Sequence, residues 1–301
     1  SRTAIWKHIN ILKERGYIFE SSTRKGYRLI YAPNLLTPLE IDSALHTETF
    51  GRHVVYLSST TSTNEEAKKI AREGAEEGTI VVAEEQTGGR GRLTRSFYCP
   101  FAKGIWFTLI LRPKFFPMEA SKCTLMAAVG VCRGIRRLGL QDAGIKWPND
   151  ILYHGKKLVG ILTEMSASME KIDYIIIGAG INTGMKKSEF PELFRESATS
   201  FLAEGIDVSR KDLLAAILAE LEKEYEIAQT QGFDKVLEDW KALSVTLGQD
   251  VRVIMGEENY TGKAVDIDKD GCLLVDTGEK VERVIAGDVS IRPIDAPLPK
   301  R

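Results

Sequence analysis

The chain has 301 residues with 41 Lys and Arg against 42 Asp and Glu, and 43% of it is apolar, the balance of a globular protein with room for two or three cored domains. No window approaches the roughly 18 apolar residues of a membrane span and no secretory leader is visible, so no membrane is expected among its partners. The four cysteines form no C-x-x-C pair and the four histidines no close pair, which argues against a disulfide scaffold, structural zinc or a metal hydrolase and for a reducing, cytoplasmic setting.

The near-neutral net charge conceals an asymmetry. Residues 1–31 hold seven Lys and Arg against two Asp and Glu, while the remainder holds 34 against 40. A basic terminal module on an acidic body expects a polyanion at one end only. That module reads as one helix, SRTAIWKHINILKERGY, with Ser1 as N-cap, Ile5, Ile9 and Leu12 on one face and Gly16 as C-cap. Two strands, Ile18–Glu20 and Tyr27–Ile30, then flank a basic turn. A helix followed by a basic β-wing is the second half of a winged helix-turn-helix, and the chain begins at Ser1 rather than Met. The expectation is an N-terminally truncated module whose earlier helices lie upstream. YAPNLLTP, with two prolines, serves as the linker.

Strands and helices interleave from about residue 40 to 240. Strands are expected at Val54–Ser58, Ile80–Glu84, Ile105–Leu111, Ile151–Tyr153, Leu158–Glu164 and Tyr174–Gly178. Helices are expected at Glu65–Glu73, Ser121–Leu138, Lys211–Gln229 and Phe233–Leu243. Ser121–Leu138, rich in small apolar residues, should be buried on most sides, with Cys123 and Cys132 as core residues, and Lys211–Gln229 should lie on the surface of the sheet. This pattern predicts an α+β domain with a mixed sheet backed by helices. After Leu247, DVRVIM, YTGKAVDID, CLLVDT and VERVIA alternate between Gly/Asp/Asn turns, as in a small all-β barrel of roughly 50 residues. The predicted domains are 1–32, 33–245 and 246–301.

Four stretches carry chemistry. In STTSTN, Thr61–Asn64 stand between a strand and a helix; one or two of them would serve as caps, but four adjacent small polar side chains suit a neutral hydrogen-bonding cup. EEQTGGRGRLTRSF holds three arginines among three glycines and could clamp nucleic acid, cradle a phosphate or be a solvated loop. In KWPNDILYHGKKLVGIL a hairpin through His154-Gly155 returns past Gly160, and a glycine inside that apolar strand implies close approach of a ligand to the backbone. An approximate register places Gly160 near Asn149, so Lys146, Asn149, Asp150 and Gly160 converge, with Lys157 in reach. YIIIGAGINTG ends an apolar strand in glycines without G-x-G-x-x-G spacing, a poor fit to a dinucleotide fold, and Asn182 offers a planar amide. No Ser-His-Asp order, Cys-His pair or carboxylate pair stands out. An Arg, Lys, Gly and Asn set suits transfer chemistry that works by positioning and charge neutralisation.

STN (62–64), GRGR (89–92), KWPND (146–150), KLVGIL (157–162) and GAGIN (178–182), in that order, resemble the biotin protein ligases, and the N-terminal helix with RKGYRL resembles the recognition helix and wing of their bifunctional members, which also repress transcription. The likeness runs nearly end to end. It implies a class II synthetase-like catalytic domain, an SH3-like C-terminal barrel, and a two-step reaction. Biotin and ATP with Mg²⁺ give biotinyl-5′-adenylate, and biotin then passes to a lysine of the biotin carboxyl carrier protein of acetyl-CoA carboxylase.

Carried over by residue, Ser62, Thr63, Asn64 and Gln86 should meet the ureido end, with Arg90, Gly91, Arg92, Lys157 and Gly160 also lining the biotin site. Gly89, Arg92, Arg95, Lys146, Asn149, Asp150 and Asn182 should serve ATP or the adenylate, Asn182 at the adenine and Asp150 at the metal. Lys157, Arg92 and Lys146 are the expected catalytic residues, Arg92 as guard of the adenylate in a lid over it. Ser1, Arg2, Thr3, Lys7, Arg24 and Lys25 should face operator DNA in the full-length form, and a homodimer is a further expectation. Thr61, Thr94 and Phe97 depart from common family residues. A non-catalytic biotin-sensing repressor and a lipoate–protein ligase are the alternatives.

Overall fold

The computed structural model describes residues 2–14, 17–22, 26–31, 34–92, 95–255, 258–286 and 289–293. Ser1, Gly16, Arg24, Lys25 and Thr94, singled out above, lie outside the described residues. Contacts divide the chain into two compact units, residues 1–35 and 36–301.

The smaller unit holds α1 (Arg2–Glu14) and an antiparallel ribbon of β1 (Ile18–Ser22) and β2 (Gly26–Tyr31), paired Glu20 to Arg28. Thr3 and Lys7 are exposed on α1. Helix and wing thus form where the sequence places them.

The larger unit is built on seven strands: β3 (Val54–Leu57), β4 (Ile80–Ala83), β5 (Gly104–Leu111), β6 (Gly144–Lys146), β7 (Asp150–Tyr153), β8 (Lys156–Ala167) and β9 (Ile172–Asn182). Their order across the sheet is β3-β4-β5-β9-β8-β7-β6. Only the β3–β4 pair is parallel among the described pairings of this sheet, and the rest are antiparallel. Side chains alternate between faces along each strand. Ile105, Phe107, Leu109, Val159, Ile161, Ile175, Ile177 and Ile181 therefore join one large core, while Val81, Ile110, Tyr174 and Ile176 join a smaller one on the opposite face.

α3 (Thr63–Arg72) covers the smaller core with Ala67 and Ala71. Glu65 and Glu66 in its first turn and Lys69 and Arg72 in its last match the helix dipole. The large core lies under α4 (Cys123–Arg137) and α5 (Arg210–Gln231). Lys211–Gln229 was expected to lie on the sheet; α5 does reach β5 but spends most of its length packed against α4. The cause is Gly130 and Gly134 of α4, which let the backbone of α5 approach: a Cβ at Gly134 would stand 2.7 Å from Ile217 Cα, and one at Gly130 2.9 Å from Leu221 Cα. Cys123 and Cys132 are buried in this layer.

α6 (Asp234–Leu243) leads into an antiparallel five-stranded sheet of β10 (Asp250–Met255), β11 (Glu258–Ile267), β12 (Leu273–Asp276), β13 (Val281–Val284) and β14 (Val289–Pro293), ordered β13-β12-β11-β10-β14. It packs within the same compact unit as the seven-stranded sheet. The Trp147 indole donates to Gly271 O at 3.1 Å, and the Trp147 amide donates to Thr246 Oγ1 at 2.9 Å. Three of these elements escaped sequence reading, the short helix α2 (Pro38–Asp42), the three-residue β6 and the five-residue β14, each too brief to show periodicity. Among the described residues no helix is long and apolar enough to cross a membrane.

Gly134→Val should destabilise the fold. Relieving a helical glycine gains at most about 1 kcal/mol, whereas overpacking against a backbone costs about 1–3 kcal/mol and more when nothing can yield. A melting temperature several degrees below wild type, with unchanged far-UV circular dichroism, is the expected result.

Candidate active site

The site lies on the face of the sheet opposite the large core. One row of cross-strand neighbours runs Trp106, Gly180, Gly160, Asp150, Lys146 over β5, β9, β8, β7 and β6. The next row runs Thr108, Gly178, Leu162. Glycines at the centre of both rows leave a trough. The hairpin register puts Gly160 opposite Asp150, one residue on from the expected Asn149, whose carbonyl instead accepts from Ile161 N at 3.1 Å. His154 (φ 46°) and Gly155 (φ 75°) make the two-residue turn between Tyr153 and Lys156, the left-handed pair such hairpins require.

One end of the trough is neutral. Thr63 donates to Gln86 Oε1 from its amide at 2.7 Å and from its hydroxyl at 3.1 Å. Thr108 Oγ1 lies 2.8 Å from Thr63 Oγ1 and donates to Asn64 Oδ1 at 2.7 Å. Asn64 Nδ2 donates to Glu164 Oε2 at 2.8 Å. Ser62 occupies the N-cap of α3, yet its side chain makes no capping hydrogen bond. Capping therefore does not account for the hydroxyl, which favours the cup over the capping reading. Thr61 contributes its backbone carbonyl, which accepts from Gly88 N at 2.9 Å.

The other end is charged. Lys157 Nζ pairs with Asp150 Oδ1 at 2.7 Å. Arg92 Nη1 reaches Asn149 Oδ1 at 3.3 Å, and Asn149 Nδ2 donates to Ile161 O at 2.6 Å. Lys146 faces Asp150 across the β6–β7 ladder. Asn182 is buried and donates to Thr199 O at 3.0 Å, while residues 197–199 hydrogen-bond the Lys157 backbone on both sides. Among the described residues no group of three His, Cys, Asp or Glu side chains could cage a metal ion.

The glycine–arginine segment arches over the trough as a hairpin, closed by bridges between Gln86 and Cys99 and between Arg90 and Ser96. Gly89 is wedged against the returning limb, where a Cβ would stand 2.5 Å from Phe97 O and 2.8 Å from Cys99 Sγ. Gly91 N donates to Arg95 O at 2.7 Å, and Arg90 and Arg95 are exposed. The Phe97 ring rests on the glycine floor: Cβ atoms at Gly180 and Gly160 would come within 2.7 and 3.0 Å of it. It meets Trp106 edge-on at 6.0 Å between centroids and lies 5.6 Å from Lys157 Nζ. Burial pushes the Cys99 thiol up to about 12, so it is no nucleophile near neutral pH.

The structure thus gathers Ser62, Thr63, Asn64, Gln86, Gly89, Arg92, Asn149, Asp150, Lys157, Gly160 and Asn182 around one trough. Sequence reading missed Thr108, Glu164 and Trp106. Thr108 had a visible signal, since it is the polar residue inside the apolar strand GIWFTLIL. Glu164 had none, because its partner Asn64 is 100 residues away.

Three family models match the chain: the Biotin/lipoate A/B protein ligase family over residues 56–182, the Biotin protein ligase C terminal domain over 246–292, and an HTH domain over 1–28. The Bifunctional ligase/repressor BirA of Bacillus subtilis is 40% identical over 292 residues, 97% of this chain and 90% of that protein. The Biotin--[acetyl-CoA-carboxylase] ligase of Mycobacterium tuberculosis is 32% identical over 79% of this chain and 88% of its own length. Among solved structures, the biotin protein ligase from Aquifex aeolicus in complex with biotin and ATP superposes with a TM-score of 0.70 at 28% identity, covering 80% of this chain and 99% of that one.

Gly178→Ala tests the neutral end. The added methyl would fall 2.0 Å from Asn64 Oδ1, so Asn64 must give up its bond from Thr108, whose hydroxyl keeps Thr63 Oγ1 in reach, at about 0.5–1.5 kcal/mol. A lower melting temperature, with a shifted Asn64 side-chain amide signal by NMR, is expected.

Proposed function

The chain belongs to the biotin protein ligase family, and from that premise we propose that the trough makes biotinyl-5′-adenylate from biotin and ATP and passes biotin to a lysine of a biotin carboxyl carrier protein. The observation that carries this reading is the polarity gradient along one glycine floor, from Thr63, Gln86 and Thr108 at one end to Lys157, Asp150, Arg92 and Asn149 at the other. Biotin has the same gradient: a neutral ureido ring, an apolar chain and a terminal carboxylate. Hydroxyls and amides satisfy the ring without the desolvation penalty of a charge, and glycines let the chain lie on the sheet.

In the first step a carboxylate oxygen attacks the α-phosphorus of ATP and pyrophosphate leaves. Lys157, freed from Asp150, neutralises the attacking carboxylate, and Lys146 and Arg92 offset charge on the phosphates, the kind of positioned electrostatic help that dominates such transfers. Arg92, held over the trough by Asn149, then shields the mixed anhydride from water. In the second step the lysine amine attacks the acyl carbonyl and AMP leaves. Mg²⁺ suits this donor set only as an ion carried by the triphosphate, with Asp150 able to lend one carboxylate, the mode in which Mg²⁺ is commonly bound. We further assign the helix and wing of residues 2–31 to operator DNA, with Thr3 and Lys7 of α1 exposed for it.

The decisive experiment is mass spectrometry of a carrier domain incubated with the protein, biotin and MgATP. One added biotin on one lysine is expected. Biotin binding without adenylate would leave a non-catalytic sensor, and lipoate used in preference would leave a lipoate ligase.

Two variants test the charged end. Lys157→Ala should slow adenylate formation by about 10²-fold or more while the melting temperature changes little, read by single-turnover assay. Arg92→Gly should release adenylate and label bystander lysines; selectivity equal to wild type would remove its guard role.

A further inference from the structure

Glu84, at the end of β4, and Gly104, the first residue of β5, bracket the segment 85–103 that contains Gln86 and the glycine–arginine hairpin. Both are gripped by one side chain from elsewhere. Arg210, at the start of α5 and 1% exposed, donates Nε to Gly104 O at 2.9 Å, Nη2 to the same oxygen at 2.6 Å, and Nη1 to Glu84 Oε2 at 2.8 Å. The second Glu84 oxygen accepts from the amide of Leu36, the first residue of the larger unit, at 2.6 Å. Ala102 N donates to Glu84 O at 2.9 Å, closing the base of the segment a second time.

A cation at a helix N-terminus opposes the dipole, and both ions lie in a desolvated interior where a hydrophobic pair would serve stability as well or better. Stability alone therefore does not explain the pair. What it supplies is geometry. The planar fork ties two carbonyl or carboxylate groups 20 residues apart in sequence at one fixed spacing, which a lysine cannot do. Gly104 also faces Asn182 across the β5–β9 ladder, so the same grip sets the end of the glycine floor.

We propose that Arg210, through Glu84 and Gly104, is a positioning residue that holds the two feet of the segment 85–103 so that its hairpin seals the adenylate. Arg210 touches no substrate; it acts through the spacing of the segment it anchors. The inference rests on the adenylate-forming reading given above.

The test compares wild type with Arg210→Lys, which keeps the charge but not the fork, and Glu84→Gln, which keeps the side-chain shape but removes the ion pair and leaves one acceptor oxygen for two donors, Leu36 N and Arg210 Nη1. Arg133→Lys is the control, because Arg133 joins α4 to Glu224 of α5 and Asp239 of α6, away from the segment. Preformed labelled adenylate complex is isolated and its loss followed, at a temperature below all melting transitions. Arg210→Lys should lose adenylate about tenfold faster or more, with the rate of its formation at saturating substrates changed far less; Glu84→Gln should shift the same way by a smaller factor and carries the test if Arg210→Lys does not fold. Arg133→Lys should lower the melting temperature with retention as in wild type. Equal retention in wild type and both clamp variants, or equal leakage from Arg133→Lys, overturns the proposal. Tryptic cleavage after Arg90, Arg92 and Arg95 supplies a readout independent of activity: it should be faster in the clamp variants than in wild type and control. Wild type that makes no adenylate would refute the functional reading, while the cleavage rates would still decide whether Arg210 sets the segment, equal rates counting against it.

Discussion

Everything at the site depends on the two-residue repeat of β5, β8 and β9. Each strand must give one face to the large core and the other to a ligand, and the sequence divides its residues accordingly. Ile105, Phe107 and Leu109, Val159 and Ile161, and Ile175, Ile177 and Ile181 bury their side chains on one side. Between them Trp106, Thr108, Gly160, Gly178 and Gly180 face the trough. A slip of one residue in any strand would send isoleucines into the trough and glycines into the core, so the register that stabilises the fold also defines the site. Three glycines in strand interiors weaken the sheet by about 0.5–1 kcal/mol each. The apolar burial on the opposite face, at about 1.5–3 kcal/mol per large side chain, outweighs that loss several times over. The site is thus set where the core can carry it.

How much of this was legible follows from the range of the interactions. The five motifs are local strings, and the strand glycines and small polar run are anomalies against a strand or cap pattern, so they show in a sequence. The hairpin register came out within one residue because its turn, His154-Gly155, is local too. The cross-chain partnerships did not show. Asn64 with Glu164, Asn182 with Thr199, and Arg210 with Glu84 join residues that only the closed sheet brings together. Glu84 read merely as a strand end, although it is fully buried. The arginines of the loop could have met nucleic acid by composition alone. The position of Arg92 at Asn149, over the glycine floor that Lys157 also reaches, is what favours a phosphate-linked ligand.

The bonds present in the trough also say how it would respond to occupancy. Lys157 is committed to Asp150 and the guanidinium of Arg92 reaches a neutral amide at 3.3 Å, long for such a contact. A bond from guanidinium to a neutral amide is weaker than one to phosphate, where both partners are charged and the fork can engage two oxygens. An acyl phosphate placed beside Arg92 would therefore bind its guanidinium more strongly than the Asn149 amide does. Phe97 has a matching part. Its ring now covers Gly160 and Gly180, the surface on which an apolar chain would lie. Phe97 N donates to Gly89 O at 2.9 Å, so the residue whose ring caps the glycine floor also ties down the first residue of the GRGR run.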